Sequence, residues 1–224
     1  GVGVAQDHSK AVAWYRKSSE KKYAEGQFNL GFMYYEGNGV SQDLVKAGKW
    51  FRLAAKQEIA EAGAFLGLMY EHGRGVPQDD SEAMKWTRKA ANLGHAGAQA
   101  NFGAMYAEGG RIPQNNAKAV EWFRKSAKQG YADGQYFLAA MYKQGRGIQR
   151  DYFKAAEWFR KAAEQGHPSA QFALGAMYGQ GQGVQKNYRL SEEWFRKAAN
   201  QGHQEAQEAL ELLHNTQNIL KALD

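Results

Sequence analysis

The chain has 224 residues, a formal net charge of +6, no cysteine and a mean hydropathy of −0.70. Without cysteine, neither disulfides nor thiolate metal sites can support it. With no long apolar run, it cannot form a membrane-spanning helix and reads as soluble.

The N-terminal "GVGVAQD" has no basic region followed by an apolar one, hence no visible signal peptide. Gly1, Gly3 and Val4 anticipate Gly37, Gly39 and Val40 by 36 residues, so the chain opens inside a repeat. This predicts a fragment whose natural N-terminus, with any targeting signal, is missing. The same 36-residue step separates Trp14, Trp50, Trp86, Trp122, Trp158 and Trp194, and also Met33, Met69, Met105, Met141 and Met177, each followed by tyrosine. An unbroken period of this length signals one repeat array in which each unit packs on its neighbours.

Two helices alternate along the chain. In the tryptophan helix Ala47, Trp50, Phe51, Ala54 and Ala55 share one face. Asp7, Asp43, Asp79, Asn115, Asp151 and Asn187 precede successive copies as N-caps, their side-chain oxygens positioned to accept first-turn N–H groups. Gly94, Gly130, Gly166 and Gly202 end these helices, and Pro168 suits the first turn of the next one. In the second helix Ala62, Leu66, Met69 and Tyr70 form an apolar stripe, and Gly37, Gly73, Gly109, Gly145 and Gly181 end successive copies. Gly31, Gly67, Gly103 and Gly175 recur inside this helix at about 1 kcal/mol each relative to alanine. Close approach of a neighbouring helix would compensate, and Ala139 shows that one methyl is tolerated.

The recurrent "A-x-x-L-G-x-M-Y-x-x-G-x-G-V-x-x-D…KA…W-F-R-K-A-A…G-H" resembles the Sel1-like repeat, a relative of the tetratricopeptide repeat, over residues 1 to 214. Departures are local: Thr87 follows Trp86 where an aromatic is usual, Arg111 replaces a loop glycine, and Glu211, Leu213 and His214 replace Gly, Met and Tyr. The resemblance implies an all-α, right-handed alpha-alpha superhelix (solenoid) of helix-turn-helix repeats. Residues 1–224 read as a single array. Residues 1–22 are the remnant of a truncated repeat, five full repeats cover 23–58, 59–94, 95–130, 131–166 and 167–202, and 203–224 form a C-terminal capping helix.

Nothing in the sequence marks a catalytic centre or a cofactor. His95, His167 and His203 share a turn column with Tyr23, Ile59 and Tyr131, and metal-binding patterns such as H-E-x-x-H are absent. "GQGQGV" around Gly181 lacks the phosphate-loop pattern. The tryptophan column reads as core packing. The arginine column (Arg16, Arg52, Arg88, Arg124, Arg160, Arg196) reads as structural, with Glu121, Glu157 and Glu193 placed to pair along the helix.

Binding specificity therefore belongs to columns that vary. Resemblance to tetratricopeptide repeats implies that the second helices line a concave groove. Its candidate protein-binding residues are Glu25, Phe28, Phe32, Tyr35, Glu36, Glu61, Leu68, Glu71, His72, Glu108, Asp133, Tyr136, Lys143 and Phe172, with Asn215, Thr216 and smaller residues filling the remaining positions. Across the groove Glu25, Glu36, Glu61, Glu71, Glu108, Asp133, Glu205 and Glu208 face a single lysine, Lys143, on a chain whose net charge is +6. An acidic groove and a basic back follow. Phe28, Phe32 and Tyr35 lie on one helix face as an exposed aromatic patch.

The expected function is a non-enzymatic scaffold or adaptor for a protein or peptide bearing basic and apolar residues. The family resemblance implies a bacterial protein, exported or periplasmic and engaged in host interaction or signalling, or else a part in endoplasmic-reticulum quality control. Two alternatives are an anionic partner, nucleic acid or membrane surface, held by the basic back, and a regulatory module of a larger protein.

Overall fold

The computed structural model describes residues 7–110 and 112–223, so Gly1, Gly3, Val4 and Arg111 lie outside the described residues. Among the described residues there are twelve α-helices and no strand. The tryptophan helices are α1 (His8–Glu20), α3 (Leu44–Lys56), α5 (Asp80–Asn92), α7 (Asn116–Lys128), α9 (Tyr152–Glu164) and α11 (Tyr188–Ala199). The second helices are α2 (Ala24–Glu36), α4 (Ala60–His72), α6 (Ala96–Glu108), α8 (Ala132–Gln144), α10 (Pro168–Gln180) and α12 (Gln204–Leu223). Two compact units emerge: Gly1–Phe102 with Gly110–Ile112, and Gly103–Gly109 with Pro113–Asp224.

Local chemistry sets the helix ends. All six predicted Asp and Asn caps accept a first-turn backbone N–H, as Asp43 does from Lys46 at 2.9 Å. Gly37, Gly73, Gly145 and Gly181 adopt left-handed conformations just past their helices. After the tryptophan helices the column of Gly94, Gly130, Gly166 and Gly202 is also at positive φ, but its first two members are Lys22 (φ 63°) and Glu58 (φ 69°). A side chain in that region costs on the order of 1–2 kcal/mol.

The core of each unit is made of consecutive helices packed in sequence. In the first unit Ala47, Phe51, Ala54 and Ala55 meet Ala62, Leu66 and Met69. In the second, Phe123 and Phe159 are buried among Leu138, Leu174 and Met177. The helix glycines admit the ring of the following helix: a Cβ at Gly31 would stand 2.9 Å from Phe51, and one at Gly103 or Gly175 would stand 2.7 Å from Phe123 or Phe195. Close helix approach is thus the compensation for glycine in these helices.

Two sequence expectations are corrected. The residue sealed in the core is the phenylalanine after the tryptophan, Phe51, Phe123, Phe159 or Phe195. Trp50, Trp122, Trp158 and Trp194 are half-buried, and Trp14 is exposed. Lysine stacks over several indoles, as Lys125 does over Trp122 at 3.9 Å. Only where Thr87 replaces the ring does the tryptophan, Trp86, sink to 5% exposure. The arginines, in turn, reach tyrosine hydroxyls 18 residues on: Arg160 donates to Tyr178 at 3.1 Å, and Arg52 donates to Tyr70. In α11 the carboxylate partner of Arg196 is Glu192, at 2.7 Å, rather than Glu193.

A polar column joins the core. Gln27, Gln135 and Gln171 are buried, and each accepts from the glutamine 30 residues on: Gln57 at 2.8 Å, Gln165 at 2.7 Å and Gln201 at 2.8 Å. Gln171 also donates to the Ala163 carbonyl at 3.1 Å. Such pairing removes the cost of burying an amide. At the equivalent junction in the second repeat Gly63 and Leu93 replace both partners together.

Candidate functional site

The candidate surface is the face of the second helices not sealed by the tryptophan helices. In the first unit Glu25, Glu36, Glu61, Leu68 and His72 are exposed, and Glu71 is half-buried. Phe28, Phe32 and Tyr35 are half-buried and do not form the free patch expected. Their rings join Phe51 and Phe65 in one aromatic cluster, with Phe28 5.8 Å from Phe51, Phe32 5.8 Å from Phe65 and Tyr35 5.2 Å from Phe65. Arg74 covers Tyr35 at 5.3 Å. Here aromatic rings fill the inner face.

In the second unit the column of Phe32 holds Ala104, Ala140 and Ala176, while Tyr136 and Phe172 keep a ring at the column of Phe28. A cleft of about 490 Å³ is lined by Ala104, Ala107, Glu108, Tyr136, Ala140 and Gln144, together with Gln114 and Arg146. A second cleft of about 310 Å³ shares Tyr136, Ala140 and Gln144 and adds Lys143, Ser169, Phe172, Ala176, His203 and Glu205. The structure brings the sequence-selected Glu108, Tyr136, Lys143 and Phe172 together along this pair. Asp133 flanks it, 3.4 Å from His167. The side chains of His214, Asn215 and Thr216 lie outside the described residues.

The histidine column plays a part that sequence reading missed. His95 and His167 cap second helices through Nδ1, which accepts from Ala98 at 3.0 Å and Ala170 at 3.2 Å. The His167 ring stacks on Tyr136 of the preceding repeat at 4.7 Å, and His203 stacks on Phe172 at 4.9 Å. Burial lowers the pKa of His95 and His167, opposed by Glu61 and Asp133 respectively. Burial, with help from Glu205, raises that of Tyr136. Histidine before an Ala or Pro that starts a helix was the available signal. Among the described residues no group of three or more His, Asp or Glu could hold a metal ion.

The Sel1 repeat model matches residues 1–23, 24–58, 60–95, 96–131, 132–167 and 168–203, nearly the whole chain. The chain belongs to the Sel1 repeat family. Among solved structures it is similar to a protective antigen present in uropathogenic Escherichia coli strains that displays an SLR fold, at 42% identity and TM-score 0.80, covering 89% of this chain and 43% of that one. This chain thus spans less than half the length of that relative. A Sel1 repeat protein from Oxalobacter formigenes is 28% identical with TM-score 0.80, covering 92% and 87% of the two chains. An immunity protein from Pseudomonas aeruginosa shares the fold at 21% identity and TM-score 0.53, covering 88% and 76%. No curated protein matches the chain. The Sel1 repeat assignment carries the all-α solenoid class with it. No helix among the described residues is long and apolar enough to cross a membrane.

Proposed function

We propose that this Sel1 repeat chain is a non-enzymatic scaffold whose second helices grip a protein segment bearing basic and apolar side chains. The observation that carries this reading is the pair of adjoining clefts in the second unit, which share Tyr136, Ala140 and Gln144. Their alanine floors leave room for apolar side chains. Glu108, Asp133 and Glu205 offer carboxylates to lysine or arginine, with Lys143 as the opposing charge. Desolvated apolar contacts would supply most of the affinity, and the carboxylates would steer and select. The similarity to an E. coli protective antigen supports a bacterial, host-facing setting.

Selection of a phage-displayed random peptide library on the intact chain tests this. Enriched peptides should carry Lys or Arg beside apolar residues and lose at least tenfold in affinity for Ala140→Phe, which fills the shared floor. Peptides without basic residues, or peptides indifferent to Ala140→Phe, would refute the groove reading.

A further inference from the structure

A second surface lies on the opposite kind of helix, in the first unit. The column three residues after tryptophan holds Lys17, Lys89, Lys125, Lys161 and Lys197, and each lysine stacks over its own indole. In α3 that column holds Leu53, which is 42% exposed. One turn and more earlier, the column of Val12, Met84, Val120 and Ala156 holds Gly48. Val45, 54% exposed, starts the same stripe. These departures coincide in one helix and open a cleft of about 380 Å³ lined by Val45, Gly48, Leu53, Val76 and Pro77. A Cβ at Gly48 would meet Met69 at 3.2 Å and Val76 at 3.3 Å, so these two side chains close on the glycine and form the inner wall of the cleft.

Charge specifies the occupant. Lys49 and Arg52 line the cleft, Lys46 and Lys56 share the helix, and α3 carries no Asp or Glu. Arg52 is held in place by its hydrogen bond to Tyr70, and Lys46 pairs with the capping Asp43 at 2.9 Å. The field of Arg52 also reaches Glu82, whose carboxylate is engaged by Lys85 at 2.6 Å and the Trp86 indole at 2.9 Å. A volume near the lower end of the roughly 300–1,000 Å³ typical of ligand clefts suits one or two apolar side chains. A carboxylate beside them would meet Lys49 and Arg52.

We propose that the α3 cleft docks an acidic protein segment, seating one apolar side chain between Val45, Leu53 and Pro77 while flanking Asp or Glu residues pair with Lys49 and Arg52. This surface is independent of the second-helix groove.

The test uses the intact ¹⁵N-labelled chain and a 12-residue peptide with one leucine flanked by glutamates. Amide shifts should concentrate at residues 45–53 and 75–77. Val45→Ser and Leu53→Lys restore residues that sibling repeats carry at these columns, Ser81 and Lys89, so both variants should fold, and each should weaken binding at least tenfold. Replacing the peptide leucine with alanine should do the same. Shifts elsewhere, or binding unchanged in both variants, would overturn the proposal. So would sedimentation with phosphatidylserine vesicles that persists or strengthens in Leu53→Lys while the peptide fails to bind, because the patch would then be a membrane surface.

Discussion

The inner faces of α2 and α8 come from the same repeat column by column, yet one is packed shut and the other lies open. Phe28, Phe32 and Tyr35 of α2 lean on Phe51 and Phe65, so aromatic area there serves cohesion. Ala140 of α8, with Ala104 and Ala176 on its neighbours, leaves a trough to which Tyr136 and Phe172 contribute rings at the groove columns. The backbone period constrains the tryptophan-helix contact, not the opposite face. Side-chain volume on that face decides whether a repeat builds core or offers a site.

Truncation probes this contrast most strongly. Phe28→Ala with Tyr35→Ala should destabilise the first unit by about 3 kcal/mol, reckoned from the 3–5 kcal/mol of a fully buried Phe→Ala and reduced for half burial. A denaturant melt that does not move would return these rings to the role of free anchors. The next largest effect belongs to Gly103→Ala, whose methyl would press on the Phe123 ring and should cost about 1–3 kcal/mol by overpacking. Leu138, Ala139 and Phe159 show a junction that has already absorbed that methyl, so Ala139→Gly should lose only about 1 kcal/mol in the same assay.

Glu58→Gly acts in the opposite direction. Relief of the left-handed strain should raise stability by about 1 kcal/mol, and an unchanged midpoint would show that the Glu58 side chain compensates elsewhere. The smallest effect is acid sensitivity. With folded-state pKa values lowered by burial, His95 and His167 bind protons less readily than in the unfolded chain. Their stabilisation is present above the unfolded pKa of about 6.5 and is lost as pH falls through the folded values. Protonation also removes the Nδ1 acceptor from each cap. Thermal melts should fall modestly between pH 7.5 and 5.5, and the fall should shrink in His167→Tyr, the residue that Tyr131 supplies in a sibling repeat.

Much of this was readable in the sequence because it is local. Asp43 and its counterparts announce helix starts, Gly73 and its counterparts announce ends, and Gly31 or Gly103 announces a close neighbour. Depth was less readable: Trp50 and Phe51 are adjacent on one apolar arc, and periodicity alone cannot say which faces inward. Partners distant in sequence were hidden for a related reason. Arg160 finds Tyr178, 18 residues on, across a helix pair that only packing brings together. Of the groove, the columns were legible but the fill was not, because Phe28 and Tyr136 both lean on a core ring, Phe51 and Phe159, and the difference lies one turn on, where α2 has Phe32 and Tyr35 and α8 has Ala140 and Lys143. Gln27, Gln135 and Gln171 drew no reading, although their recurrence in one column was a signal.

The paired glutamines carry a consequence for how such a chain can grow or shrink. Gln27 with Gln57, Gln135 with Gln165 and Gln171 with Gln201 each fall within one stretch that begins at a second helix and ends after the following tryptophan helix. Excising residues 23–58 would remove a donor and its acceptor together. Excising the equally long 44–79 would keep Gln27 and bring Leu93 to the place of Gln57, leaving a buried amide without its mate. Beside the second repeat the hydrogen bonds thus define a reading frame for recombination, in which an in-frame deletion preserves a satisfied interior and one of identical length that joins Gln27 to Leu93 does not.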